Sequence, residues 1–164
     1  MKKDFKKYVC DVCGREINVE DAMLQWLQKP TEESKDNPFF EELESIHICC
    51  NRKTCNSSYS QRALNEQLHE QWDHLETFVG ADGLDMLLTF PIERKITETV
   101  QQDFLEIQRR LLVPHYEEAR QYFSRAYRDY SVEDLNAYRE GHKAWNQSLL
   151  KLIIEKYSKE DTKD

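Results

Sequence analysis

Glycine and proline are both scarce in this chain, with four of each among 164 residues. Sandwiches and barrels need such residues at many tight turns, so an all-β fold is excluded and helix is expected to dominate. Long apolar runs are missing too: no stretch approaches the roughly 18 residues of a membrane-spanning helix. The N-terminus carries no apolar segment of the secretory kind, because Lys2, Lys3, Lys6 and Lys7 lead straight into the first cysteines. A cytoplasmic protein is therefore expected. Positive charge is in deficit, with 23 Lys and Arg against 31 Asp and Glu, a net charge of −8 and a pI near 5.2. Proteins that grip nucleic acid neutralise phosphates with Lys and Arg, which this balance does not favour overall. The basic start, Lys2 to Lys7, is a local exception. Catalytic signatures are also lacking: there is no Gly-rich phosphate loop, no Gly-x-Ser-x-Gly elbow, and no evident nucleophile with its base.

What is present argues for an ordered chain. Three Trp, eight Tyr and seven Phe, within a hydrophobic content of 39%, are too many for a disordered acidic tail despite 33% charged residues. Five cysteines in a reducing compartment are read as metal ligands before disulfides.

The cysteines fall in two clusters. Cys10-Asp-Val-Cys13-Gly14 places two thiolates two residues apart on a tight turn, and the glycine supplies permissive backbone that lets amides point at sulfur. Tyr8-Val9 ahead of it reads as a short strand. The second cluster, Ile46-His-Ile-Cys-Cys50-Asn-Arg-Lys-Thr-Cys55, is a β-like run ending in cysteine, then a polar turn, then a cysteine at the threshold of a helix near Asn56 or Ser57. Through Cys10, Cys13, Gly14 and the Cys49/Cys50 to Cys55 pair, about a third of the chain resembles the treble-clef zinc fingers. That resemblance implies a fold and a metal but no activity. The gap in the second pair is wider than the usual two residues. The expected ligands are Cys10, Cys13, Cys55 and Cys50, with Cys49 the alternative to Cys50. His47 is expected to share the face of Cys49 and to be exposed. Four thiolates leave no open coordination position, so one structural Zn²⁺ is expected.

Between the clusters, residues 16–46 hold nine acidic side chains against Lys29 and Lys35, and Lys29 to Pro38 lacks periodicity and holds two prolines, the mark of a loop. From Ser57 onward the pattern turns helical. Leu64, Leu68, Trp72, Leu75 and Val79 form one helical stripe, ending at Gly80 as a C′ residue. Leu84 to Phe90 reads as a buried helical turn. Pro91 is expected to open a longer helix with Ile92, Ile96, Val100, Phe104, Ile107 and Leu111 on one face, interrupted at Pro114. His115 to Tyr130 reads as an aromatic-rich helix, with Glu117 and Glu118 favourable at its start. Ser131-Val-Glu-Asp134 reads as a capping box for a last helix carrying a heptad seam of Leu135, Tyr138, His142, Trp145, Leu149, Leu152 and Lys156.

His69-Glu70-Gln-Trp-Asp73-His74 resembles the H-E-x-x-H metalloprotease signature but has Asp73 at its fifth position. On a helix, His69, Asp73 and Glu76 would share one flank and could hold a second metal, which is the enzymatic alternative.

The expected protein is mostly α. A small N-terminal treble-clef-like zinc module (residues 1–56, with an acidic loop at 29–45) packs on a bundle of about four helices (residues 57–164). Its expected role is that of a cytoplasmic, zinc-stabilised adaptor or regulator that binds another macromolecule, foremost a protein. Abundant aromatics and Arg, the residue types of interface hot spots, support that role. Nucleic-acid binding through the zinc module and Lys2–Lys7 is the alternative partner, and a homodimer through residues 135–156 is the alternative use of the last seam.

Overall fold

Tyr8 and Ile17 face each other across a short antiparallel hairpin made by Lys7–Val9 (β1) and Glu16–Asn18 (β2). The structure, a computed structural model, describes residues 7–37, 40–129 and 146–161. The chain divides into two compact units, residues 1–112 and 113–164.

The first unit is built on a four-stranded sheet in the order β5-β3-β4-β6. Met23–Lys29 (β3) and Glu42–Cys49 (β4) pair antiparallel at its centre. Leu24 and Trp26 of β3 alternate with Met23, Gln25 and Leu27, so the two sets face opposite sides. A bulge opposite Leu27 and Gln28 leaves Glu44 as the extra residue in β4. Leu43 and Ile46, three positions apart, thereby reach the same core. After β4 comes the helix Lys53–Glu66 (α1), closed at Gln67 in the left-handed conformation. His69–His74 (β5) returns along β3 as an edge strand. A 3₁₀ turn at Leu75–Phe78 leads into Gly80–Glu93 (α2), then Lys95–Ile96 (β6), which pairs parallel to β4, and Glu98–Leu112 (α3). The main core joins Leu24, Trp26, Leu43, Ile46 and Ile48 of the sheet to Leu87 and Phe90 of α2 and to Val100, Phe104, Ile107 and Leu111 of α3. On the other face Leu27 packs with Tyr59 and Ala63 of α1.

The mostly α expectation is therefore corrected: two sheets, of two and four strands, make this an α/β mixture and not a zinc module on a helical bundle. The stripe from Leu64 to Val79 is not one helix. Leu64 is exposed on α1, Trp72 lies on β5, and Leu75 is buried in the 3₁₀ turn. Residues at helical spacing here belong to three different elements. Gly80, with φ of +80°, opens α2 instead of ending a helix. Pro91 sits in the last turn of α2 and not at the head of the next helix. It removes the amide that would bond the Leu87 carbonyl, which weakens the helix near its end, and the segment after Glu93 then places Ile96 beside Leu43. Ile92 is accordingly exposed.

Gly83 lies against the backbone of the 3₁₀ turn. A Cβ there would lie 2.1 Å from the carbonyl carbon of Phe78. Gly83→Ala is expected to force α2 off the 3₁₀ turn and cost about 1–3 kcal/mol or more, read as a lower urea midpoint.

The second unit packs Tyr116–Arg120 (α4), Phe123–Asp129 (α5) and Gln147–Asp161 (α6) around Tyr116, Ala119, Ala126, Leu149, Leu150, Ile153 and Tyr157. Pro114 separates α3 from α4, and the expected aromatic helix is two short ones. The face of α6 that is buried is Leu149, Leu150, Ile153 and Tyr157, so the seam expected through Leu149, Leu152 and Lys156 is rotated about the helix. The Tyr157 hydroxyl fixes that rotation by donating to Asp129 Oδ2 at 2.9 Å. The expected capping box and Leu135, Tyr138, His142 and Trp145 lie outside the described residues.

Candidate metal centre

Both cysteine clusters owe their shape to backbone that few residues tolerate. After β1 the chain turns so that the Gly14 amide donates to the Cys10 carbonyl and the Cys10 amide to the Arg15 carbonyl, both at 2.9 Å. Gly14 itself sits at φ +70°, in the left-handed region that glycine adopts without cost. The second cluster leaves β4 at Cys50, passes Asn51 at φ +47°, and enters α1 through extended Arg52. Asparagine is among the few side-chain-bearing residues that accept such a φ. Cys55 thereby stands inside the first turn of α1, which starts at Lys53, earlier than its sequence suggests.

These turns bring together Cys10, Cys13, Cys50 and Cys55, whose sulfurs all lie within 4.8 Å of one another. Cys13 and Cys50 are 3.8 Å apart at Sγ, and Cys50 and Cys55 3.5 Å. A disulfide would need roughly 2.05 Å. A tetrahedral ion with Zn–S bonds of ~2.3 Å would hold its sulfurs ~3.8 Å apart. The four cysteines thus have the dimensions of a metal site, and these four residues would hold the ion. Among the described residues no other His, Cys, Asp or Glu group has such dimensions.

The electrostatics agree. Burial pushes the Cys10 thiol up, but amides of Cys13, Val12 and Cys50 directed at its sulfur outweigh burial and bring it down to about 7. Burial raises the thiols of Cys50 and Cys55. Crowding four sulfurs in a largely buried space is costly unless a cation compensates the thiolates.

Cys49 packs beside this cluster but is not one of the four grouped sulfurs. It is fully buried, its thiol donates to Asn56 Oδ1 at 3.3 Å, and burial raises it to about 11. Cys49→Ala is therefore expected to leave metal content unchanged, in contrast to substitution of any clustered cysteine, as checked by elemental analysis of both variants. His47 shares the face of Cys49 but is half-buried, which corrects the expectation of exposure: its ring lies 4.0 Å from that of Tyr59 and its Nε2 is 2.9 Å from Gln25 Oε1. Burial lowers its pKa.

One supporting residue was not visible as such in the sequence. Arg110 is 1% exposed, yet it lies on the apolar face of α3 between Ile107 and Leu111. Its guanidinium donates to both carboxylate oxygens of Asp11 (2.8 and 2.7 Å) and to the Val9 carbonyl (2.8 Å). Asp11, between the first two cysteines, also accepts the Ile48 amide at 2.7 Å. The knuckle is thus tied to α3 and to β4. The only sequence signal was an Arg at a position where the helical stripe calls for an apolar residue.

His69, Asp73 and Glu76 do not assemble. They sit on β5 and the following 3₁₀ turn, not on one helix flank. His69 Nδ1 is 2.7 Å from Glu41 Oε1, and Asp73 accepts the His74 amide and the Thr77 hydroxyl. Of the basic start, Lys7 pairs with Glu16 at 3.1 Å on the surface; the preceding lysines lie outside the described residues. Glu117 is buried within 3.7 Å of Arg120, and Glu118 is exposed. The acidic segment after β3 contains a 3₁₀ turn at Glu33–Lys35, and its last part, Glu42 to Ser45, already belongs to β4. No described helix is long and apolar enough to cross a membrane.

No family model matches this chain, and neither a curated protein nor a solved structure matches it.

Proposed function

We propose that the chain is a zinc-stabilised adaptor or regulator, working in the reducing cytoplasm, that recognises another macromolecule, foremost a protein. The observation that carries this reading is the four-sulfur cluster of Cys10, Cys13, Cys50 and Cys55 at tetrahedral spacing. Four thiolate ligands would complete the shell of Zn²⁺, and a closed shell stabilises a fold but offers no position to substrate or water. A knuckle between β1 and β2, with the second ligand pair spanning the end of β4 and the first turn of α1, follows the treble-clef plan. The metal's role is to fasten a hairpin to the strand–helix junction, leaving the surface of the unit for recognition.

The test is capture of partners by the metal-loaded full chain from its native cells, with nuclease treatment and in parallel with oligonucleotide binding across a salt series. Stoichiometric recovery of a protein that resists nuclease, with negligible oligonucleotide binding, is the expected result. Tight oligonucleotide binding that falls steeply with added salt would overturn the protein-partner reading.

A further inference from the structure

The edge strand β5 pairs only with β3 among the described residues, which leaves the backbone groups of its outer side without a strand neighbour. Open edges invite another strand and are a common route of peptide recognition. Beside this edge, between β5 and α1, lies a groove of about 410 Å³ lined by Gln25, Asn51, Asn56, Ser60, Glu70 and Trp72 among others. Its polar wall is set in advance. Gln25, buried at 1%, bridges His47 and Asn56, Asn56 donates to Asn51 Oδ1 at 3.0 Å, and Ser60 donates to Glu70 Oε1 at 3.1 Å. Trp72 is 55% exposed although it is the largest side chain on the strand. Glu70 is the one charged side chain of the lining.

A carboxylate and an exposed indole, with no Lys or Arg among the residues that line the groove, suit a positively charged side chain. Guanidinium and ammonium groups are attracted to the face of Trp and to carboxylate alike. On the β5 side the surroundings have the same sign, whereas the α1 side carries Arg52, Lys53 and Arg62. From Ala63 to Glu93, a span that includes β5 and α2, there are seven acidic residues and no Lys or Arg. Anionic ligands, including nucleic-acid backbones, are disfavoured there.

We propose that β5 and this groove dock an extended basic segment of a partner protein. The segment adds as a strand to the outer edge of β5 and places an Arg or Lys side chain between Trp72 and Glu70. A residue opposite Glu70 or Trp72 in an added strand would have its Cβ about 5 Å from theirs, within easy reach of a long cationic side chain. The inference rests on the protein-recognition reading above and gives that recognition a site and a partner chemistry.

The test uses the full, metal-loaded, isotope-labelled chain and capped peptides about eight residues long, the length of a typical strand. They alternate Thr and Val around a central Arg, with a control carrying Glu in its place. The Arg peptide is expected to give saturable shifts in the amides of residues 69–74 and in the Trp72 indole. Binding should weaken about tenfold with the Glu control, and by a similar factor with Glu70→Gln or Trp72→Ala, neither of which touches the clustered cysteines, so metal content stays unaltered. Shifts confined to residues outside β5 and the groove lining, or equal binding of the two peptides, would overturn the site. A natural protein partner held undiminished by Glu70→Gln would overturn it too while leaving protein recognition standing. Binding of oligonucleotides alone would remove both.

Discussion

Cys50→Ser, or a strong chelator acting on the native chain, is expected to unfold the first unit and leave the second. A structural zinc in a small module contributes on the order of 10–16 kcal/mol of apparent free energy at neutral pH. A domain of this size has a total stability of roughly 5–15 kcal/mol, so loss of the ion exceeds what the core can offset. The damage should not stop at the knuckle. Cys50 directly follows β4 and Cys55 lies in the first turn of α1, so an ion held by these cysteines would anchor the centre of the main sheet. Trp26 reports on that sheet, since it is 6% exposed and packs edge-on against Phe78 and Phe90. In a background with Trp72 and Trp145 replaced by Phe, chelation should shift its emission to the red. Far-UV circular dichroism should fall only in part, because α4, α5 and α6 have a core of their own. Unchanged Trp26 emission after complete metal removal would contradict this dependence.

Asp11→Ala is expected to destabilise the metal-loaded protein by about 3–5 kcal/mol, the cost of leaving a buried charge without its partner. The stranded group is Arg110, which is 1% exposed on a helix face otherwise packed with apolar side chains. The double variant Asp11→Ala/Arg110→Met should recover much of the loss, because an apolar side chain of similar length suits that position. Recovery will be incomplete, since the Ile48 amide also loses its acceptor. Urea unfolding of the two single variants and the double variant measures both effects. Equal losses for Asp11→Ala and the double variant would show that the guanidinium is not the source of the cost.

The cysteine spacings alone made the candidate site legible. Two residues between Cys10 and Cys13 and four between Cys50 and Cys55 are local constraints, set by turns that the sequence itself encodes through Gly14 and Asn51. The core face of α3 was equally readable, because Val100, Phe104, Ile107 and Leu111 repeat at helical spacing within one element. The sheet was not. Strand β5 reads His-Glu-Gln-Trp-Asp-His, with no β-branched residue and only Trp72 apolar, and an edge strand needs little more than backbone pairing with β3. Flanking Leu68 and Leu75 then imitate a helical stripe. In β4 the run Ile46 to Cys49 reads as β-like, but the bulge at Glu44 breaks strict alternation and hides the first half of the eight-residue strand inside an acidic region. The face of α6 was misplaced because Leu152 and Ile153 are equally apolar, and packing against α4 and α5 together with the Tyr157–Asp129 hydrogen bond selects between them. In each case a long-range contact decided what local pattern left open.

The central claim is that Cys10, Cys13, Cys50 and Cys55 jointly saturate one ion. Elemental analysis of the chain purified without added metal or chelator tests it most directly, alongside the single Cys13→Ser and Cys49→Ala variants. One zinc per chain in the wild type and in Cys49→Ala, with loss in Cys13→Ser, is the predicted result. A folded wild-type chain without stoichiometric metal, or zinc retained at full occupancy by Cys13→Ser, would contradict it.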